Sequence, residues 1–145
     1  DEPGFLIGPD AEKAGTILHG TQAVLATTES EVPWATIMIR KSFGVAAAAH
    51  YGPDGYVLAW PSAESGPLPL EGGVAVAFKK EIAQAKDPEA KRKELEEKMA
   101  KNQNPFPRAE AFSVHEIIDP RETRKYISSW AERIQSQLKV KLFSK

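Results

Sequence analysis

The strongest constraint on the fold is the run at residues 32–39, Val-Pro-Trp-Ala-Thr-Ile-Met-Ile, which is apolar on both alternating faces. A strand with one wet face alternates polar and apolar residues. One that does not alternate must be covered on both sides, as in a sheet flanked by helices. Pro33 has no amide donor to give a ladder and is expected at the start of the run. Arg40-Lys41 follows, then Ser42-Phe43-Gly44-Val45-Ala46-Ala47-Ala48-Ala49-His50, a small-residue stretch read as a helix. A buried strand leading directly into such a helix predicts an α/β class.

The other segments fit that class. Residues 10–29 read as one helix with Asp10 as N-cap and a stripe of Ala14, Ile17, Leu18, Thr21, Leu25 and Thr28. Tyr51-Gly52-Pro53-Asp54-Gly55 is turn chemistry, and Tyr56 to Trp60 is a second short buried strand. Pro61 to Gly73 reads as irregular loop, and Val74 to Lys80 fits strand or helix equally. Residues 88–102 predict a solvated helix opened by Pro88, with Glu89/Lys93, Glu94/Lys98 and Glu97/Lys101 spaced for ion pairs. Asn104-Pro105-Phe106-Pro107 breaks the chain, and Val114 to Ile118 is a short apolar segment. Asp119 and Pro120 then open a final helix with a stripe of Tyr126, Ile127, Trp130, Ile134 and Leu138.

Composition narrows the function. A formal net charge of -1 with both signs interspersed leaves no electrostatic footprint for nucleic acid and no polybasic membrane patch. No cysteine is present, which excludes disulfides and thiolate chemistry. His19, His50 and His115 are scattered, so no metal site is expected. No apolar run reaches the ~18 residues of a membrane span, and the expected setting is cytoplasmic. His19 is expected to pack within its helix, and His50 and His115 to be surface or turn residues. With 145 residues and 41% hydrophobic content, one domain (1–145) is expected. Its opening without Met leads us to expect a fragment of a longer chain.

The stretch with most chemical content is the strand end and turn around Gly44. A helix that begins with small residues leaves its first N–H groups reachable, and such donors can hold a developing oxyanion. Arg40 and Lys41 add positive potential. On these residues alone, an Ala-rich core helix after a strand explains the pattern equally simply.

Seven segments in order carry a resemblance. They are Asp1-Glu2-Pro3-Gly4-Phe5; Glu12-Lys13-Ala14-Gly15 with Ile17 and His19-Gly20; Arg40-Lys41-Ser42-Phe43-Gly44; and Ala59-Trp60-Pro61-Ser62-Ala63-Glu64. Gly72-Gly73-Val74-Ala75-Val76-Ala77-Phe78, Asn104-Pro105-Phe106 and Asp119-Pro120-Arg121-Glu122-Thr123-Arg124 complete the set. Together they resemble the carboxyl-terminal part of the carboxyltransferase (beta) subunit of propionyl-CoA and acetyl-CoA carboxylases and their methylmalonyl-CoA decarboxylase relatives. The resemblance implies a partial crotonase-like domain (the ClpP/crotonase superfamily) built of ββα units. The implied activity is transfer of a carboxyl group between carboxybiotin and the α-carbon of an acyl-CoA.

By the same resemblance, the backbone N–H groups of Val45 and Ala46, with Gly44 shaping the turn, form the oxyanion hole for the ureido oxygen of biotin. Arg40, Lys41, Phe43 and Glu64 would line the biotin pocket, and Gly4 and Phe5 would contribute to cofactor binding. No A-M-K-M biotinylation motif is present, so biotin is expected on a separate biotin carboxyl carrier protein. A biotin carboxylase subunit, an amino-terminal carboxyltransferase domain supplying the acyl-CoA half-site and further copies of the chain are the other implied partners. The isolated chain is expected to be inactive. The family's second glycine is Val45 here, so the donor survives only if its φ is negative. Ala48 stands where propionyl-type enzymes carry an acidic residue, which leaves the acyl group open.

Three alternatives remain at this point: a decarboxylase subunit passing carboxyl from malonyl- or methylmalonyl-CoA to biotin, a non-catalytic assembly module, and a generic crotonase-type hydratase or isomerase. The last lacks a pair of acidic residues on opposing segments. An apolar face beside Gly44 to Ala49, built from Phe43, Val45 and Pro67-Leu68-Pro69-Leu70, is expected to drive self-association as a two-fold dimer.

Overall fold

The computed structural model describes residues 1–143, with the side chains of residues 71 and 140–143 left aside. It opens with α1 (Pro9–Lys13) and α2 (Thr16–Thr28), followed by β1 (Ala35–Met38), β2 (Lys41–Phe43) and α3 (Gly44–Ala48). Next come β3 (Tyr56–Ala59), β4 (Glu64–Gly66), α4 (Leu70–Ala77), α5 (Lys79–Gln84), α6 (Pro88–Gln103) and α7 (Pro105–Glu110). β5 (Glu116–Ile117), a 3₁₀ turn (Pro120–Glu122) and α8 (Thr123–Phe143) close the chain.

The strands form two parallel sheets, β1-β3-β5 and β2-β4. Ala35 to Met38 pair in register with Tyr56 to Ala59, and Lys41 to Phe43 pair with Glu64 to Gly66. Glu2 extends the second sheet by bridging Ser42: its N–H donates to the Lys41 carbonyl and its carbonyl accepts from Phe43. The unit β1-β2-α3 is therefore repeated by β3-β4-α4, each a ββα turn stacked on the one before. Parallel neighbours need a crossover, and the helices supply it.

The core lies between the sheets and their helices. Leu58 and Ala59 on the central strand are 0% exposed, with Met38, Phe43, Ala46, Ala63, Val74, Val114 and Ile118 also buried. Trp60 is fixed above this layer by its Nε1–H, which donates to Thr123 Oγ1 at 3.0 Å.

Several expectations are corrected. The helix at residues 10–29 is two helices, because Gly15 adopts φ 75, a left-handed conformation that interrupts the α ladder. The N-cap of α1 is Gly8, with no side-chain cap, and Asp10 sits in the first turn. Ser42-Phe43, read as the start of a helix, is strand together with Lys41, drawn into pairing by Glu2 and β4. The Pro61 to Gly73 loop contains β4 and the start of α4, and Val74 to Lys80 falls in α4 and α5, which break at Phe78. Helix α6 is capped by Asp87, which accepts from Glu89 and Ala90, and it is not purely solvated, since Leu95 and Gln103 are buried. Its pairs are Lys91–Glu94 at 3.0 Å and Arg92–Glu96 at 2.8 Å. Asn104 caps a further helix instead of merely breaking the chain, and Asp119 caps the 3₁₀ turn that leads into α8.

The helix stripe on α2 does not meet a core. Ile17, Leu18 and Leu25 are 63%, 62% and 55% exposed. His19 is exposed too, with Nδ1 3.4 Å from Gln22 Oε1, so it does not pack inside its helix. His115 is exposed, but its Nδ1 accepts the Val57 N–H at 3.1 Å, prolonging the β3-β5 pairing by a side chain.

Candidate functional site

The two ββα turns bring their strand-to-helix corners to the same end of the β2-β4 sheet. At the first corner β2 ends in Phe43, whose ring is 1% exposed, and the chain turns at Gly44 with φ 65. That conformation costs an L side chain roughly 1–3 kcal/mol, so glycine is the natural occupant. Val45 and Ala46 follow in the first turn of α3 with helical backbone. Their N–H groups have no i−4 partner within α3, and neither finds an acceptor elsewhere among the described residues. Val45 is 63% exposed and Ala46 is 2% exposed. Val45 is not among the residues with positive φ, so β-branching at this position leaves its donor in place.

The second corner, Gly66-Pro67-Leu68-Pro69, lies alongside. The Pro67 carbonyl oxygen would stand 3.4 Å from a Cβ built on Gly44. The Gln103 amide donates to the Leu68 carbonyl at 2.9 Å. Ser42, just before the turn, is buried and shares a 2.6 Å hydrogen bond with the Tyr51 hydroxyl, which also reaches Met38 Sδ at 3.5 Å.

The remaining expected pocket residues divide. Lys41 and Glu64 are register partners across β2 and β4, so they flank the same edge of the sheet. Arg40 is turned away to the amino terminus: its guanidinium grips Asp1 at 2.8 Å, and the same carboxylate accepts the Lys41 N–H. Its charge is thus spent on Asp1 rather than offered to the turn. Phe43 supports the turn from beneath and is closed to solvent, so it neither lines an open pocket nor contributes to an exposed face. Phe5 packs its ring on α2, where a Cβ on Gly20 would lie 2.5 Å from it, while Gly4 donates to Glu2 Oε1. Phe5 thus belongs to the α2 layer, whereas Gly4 follows Glu2, whose carbonyl accepts from the Phe43 N–H just before the turn. Val45 and Leu68 are exposed as expected of the apolar face, but Leu6, Ile7, Val76 and Phe112 are more exposed still.

Sequence reasoning missed Tyr51 and Gln103. A tyrosine in a turn and a glutamine at a helix end carry no motif, and only the fold brings them to the corner. A separate cavity of about 400 Å³ lies on the β1 side, lined by Glu2, Trp34, Thr36, Ser42, His50 and Tyr51 among others. His50 Nε2 stands 3.7 Å from Glu2 Oε2 there. Among the described residues no cluster of His, Cys, Asp and Glu is arranged to hold a metal ion, and no helix is long and apolar enough to cross a membrane.

Stacked ββα turns with a glycine corner and unpaired helix-start donors place this chain in the crotonase-like class, as a partial domain. Residues 1–145 match the Carboxyl transferase domain, and the chain belongs to that family. It is 40% identical over 136 residues to the methylmalonyl-CoA carboxyltransferase 12S subunit of Propionibacterium freudenreichii subsp. shermanii, covering 91% of this chain and 26% of that protein. It is 36% identical over 144 residues to the carboxyltransferase subunit of Haloferax mediterranei propionyl-CoA carboxylase, covering 96% and 28% respectively. It is also 39% identical over 132 residues to the alpha subunit of Propionigenium modestum methylmalonyl-CoA decarboxylase, at 88% and 25% coverage.

Among solved structures, the transcarboxylase 12S hexamer with methylmalonyl-coenzyme A and methylmalonic acid bound superposes with a TM-score of 0.82 and 38% identity. The overlap takes in 94% of this chain and 27% of that one. The beta subunit of P. aeruginosa geranyl-CoA carboxylase shares the fold at a TM-score of 0.83 and 21% identity. The chain thus spans about a quarter of the length of the relatives it matches.

Proposed function

We propose that this chain is the biotin-facing part of a carboxyltransferase in a biotin-dependent acyl-CoA carboxylase. The observation that carries the reading is the Gly44-Val45-Ala46 corner: two N–H groups without acceptors, at a turn with no side chain on its first residue. The donor set fits a ureido oxygen, which gains negative character as N1′ exchanges a carboxyl group. Biotin, when presented by its carrier, supplies the nitrogen that carries that carboxyl group. The N–H groups of Val45 and Ala46 would donate to the oxygen, Gly44 would keep the approach open, and the buried Phe43 ring would hold the corner rigid. Preorganised donors lower the barrier because they need no rearrangement as charge develops.

The same corner serves both directions of transfer. The identity with the decarboxylase alpha subunit therefore keeps a second reading in view: malonyl- or methylmalonyl-CoA giving its carboxyl group to biotin. In either case the acyl-CoA half-site comes from an amino-terminal carboxyltransferase domain of a neighbouring copy in a homo-oligomer, working with a carrier protein and a biotin carboxylase subunit in the cytoplasm. The present chain is then one part of a longer protein.

Val45→Pro in the assembled carboxyltransferase deletes one donor at a first-turn position that tolerates proline. The expected outcome is a loss of about 10²–10³ in kcat for carboxyl transfer to free biotin, with acyl-CoA binding intact. Val45→Gly, which restores the N–H, should recover activity. Full turnover by the proline variant would refute the assignment.

A further inference from the structure

Gln103 is the last residue of α6 and is 5% exposed, an unusual place for a primary amide. Burying such a group is costly unless it is hydrogen-bonded. Its Nε2 donates to the Leu68 carbonyl at 2.9 Å, at the centre of the corner that leads from β4 to α4. That corner reads Gly66-Pro67-Leu68-Pro69, and its two prolines bring carbonyls but no N–H. It is thus rich in acceptors, and the Gln103 amide supplies a donor from outside.

Two close approaches make the tether consequential. A Cβ on Gly73 would fall 2.9 Å from Leu68 Cβ, so Leu68 is pressed against α4. On the other side, the Pro67 carbonyl oxygen is 3.4 Å from the Cβ position of Gly44. Pro67 and Leu68 share a peptide unit, and proline fixes φ on both sides of Leu68. Holding the Leu68 carbonyl therefore anchors the short, stiff segment that also carries the Pro67 carbonyl. Without the tether, the segment that carries the Pro67 oxygen loses its anchor beside the Gly44 turn.

We infer that Gln103 is a positioning residue: it holds the Pro67-Leu68 corner so that the Pro67 carbonyl walls the Gly44–Ala46 turn without capping its donors. The inference rests on the biotin-side reading of that turn. Gln103 touches no substrate and acts only through the loop.

The test uses the assembled carboxyltransferase with free biotin as acceptor and malonyl-CoA or methylmalonyl-CoA as donor. Gln103→Met keeps the volume and removes the donor. It should raise KM for biotin about tenfold, the scale of one neutral hydrogen bond, and leave KM for the acyl-CoA unchanged. Gln103→Glu should behave nearly as wild type at acidic pH, where a protonated carboxyl still donates to the Leu68 carbonyl. It should lose biotin affinity as pH rises and a carboxylate faces that oxygen. A biotin KM unchanged in Gln103→Met, or a Gln103→Glu profile parallel to wild type, would overturn the inference. If Val45→Pro abolishes transfer while Gln103→Met is silent, only the positioning role fails; if Val45→Pro is itself silent, the reading of the turn fails first.

Discussion

The central strand β3 and the apolar stripe of helix α2 have opposite fates. Leu58 and Ala59 on β3 are 0% exposed, flanked by β1 and β5 in register. Ile17, Leu18 and Leu25 on α2 are all more than half exposed. Apolar residues at helical spacing need a covering surface, and on α2 this chain does not supply one. The contrast separates residues that stabilise this chain by itself from residues shaped to meet something else. Fully burying a Leu side chain contributes roughly 1.5–3 kcal/mol, a gain that the α2 stripe largely forgoes here.

The comparison can be broken most directly at β3. Leu58→Ala should cost about 2–5 kcal/mol, because it leaves a cavity between two paired neighbours that cannot collapse. Urea unfolding followed by circular dichroism would measure it. Leu18→Ser on α2 should change the stability of the chain by no more than about 0.5 kcal/mol, as for other surface positions. The same substitution should weaken self-association in sedimentation velocity. A loss of stability as large as that at Leu58 would show that α2 is covered after all.

The smallest expected effect lies at the other end of β3. Burial, and then the hydrogen bond to Glu116 at 2.9 Å, raise the Tyr56 hydroxyl above its ordinary range, partly offset by Arg133. A group whose pKa is raised on folding contributes stability that is complete below its unfolded pKa of about 10. That contribution disappears as pH climbs through the higher folded value. Ultraviolet titration should therefore find a phenol ionising above the ordinary tyrosine range, and Glu116→Gln should bring it down. A Tyr56 that titrates like free tyrosine would show that this edge of the sheet is open to water.

The strands at residues 35–38 and 56–59 were legible from their apolar content, but two-sided cover holds only for β3: β1 is an edge strand on which Met38 alone is buried, with Val32 and Ile39 exposed beside it. The order of motifs likewise pointed to the Gly44 corner. β2 and β4 were not legible: three residues each, they are too short for a period, and Glu64-Ser65-Gly66 lies in a Pro- and Gly-rich stretch. Pairing with each other and with Glu2 makes them strands, and pairing is not a local property. For the same reason the commitment of Arg40 to Asp1, 39 positions away, could not be read from either residue.

Every strand pair described here is parallel, and this bears on how the chain reaches its folded state. Ala35 must find Tyr56, Lys41 must find Glu64, and Leu58 must find Glu116. No hairpin is available to nucleate the sheets, so folding is expected on the slow side for a chain of this size, with long unpaired edges before closure. The interval from β3 to β5, which holds β4 and α4 to α7, is the longest of these closures. Loop entropy grows only logarithmically, so doubling that interval would cost only about 0.6 kcal/mol. The helical segment between the second corner and the last strand is therefore where this architecture can accept insertions most cheaply, provided Gln103 still reaches Leu68.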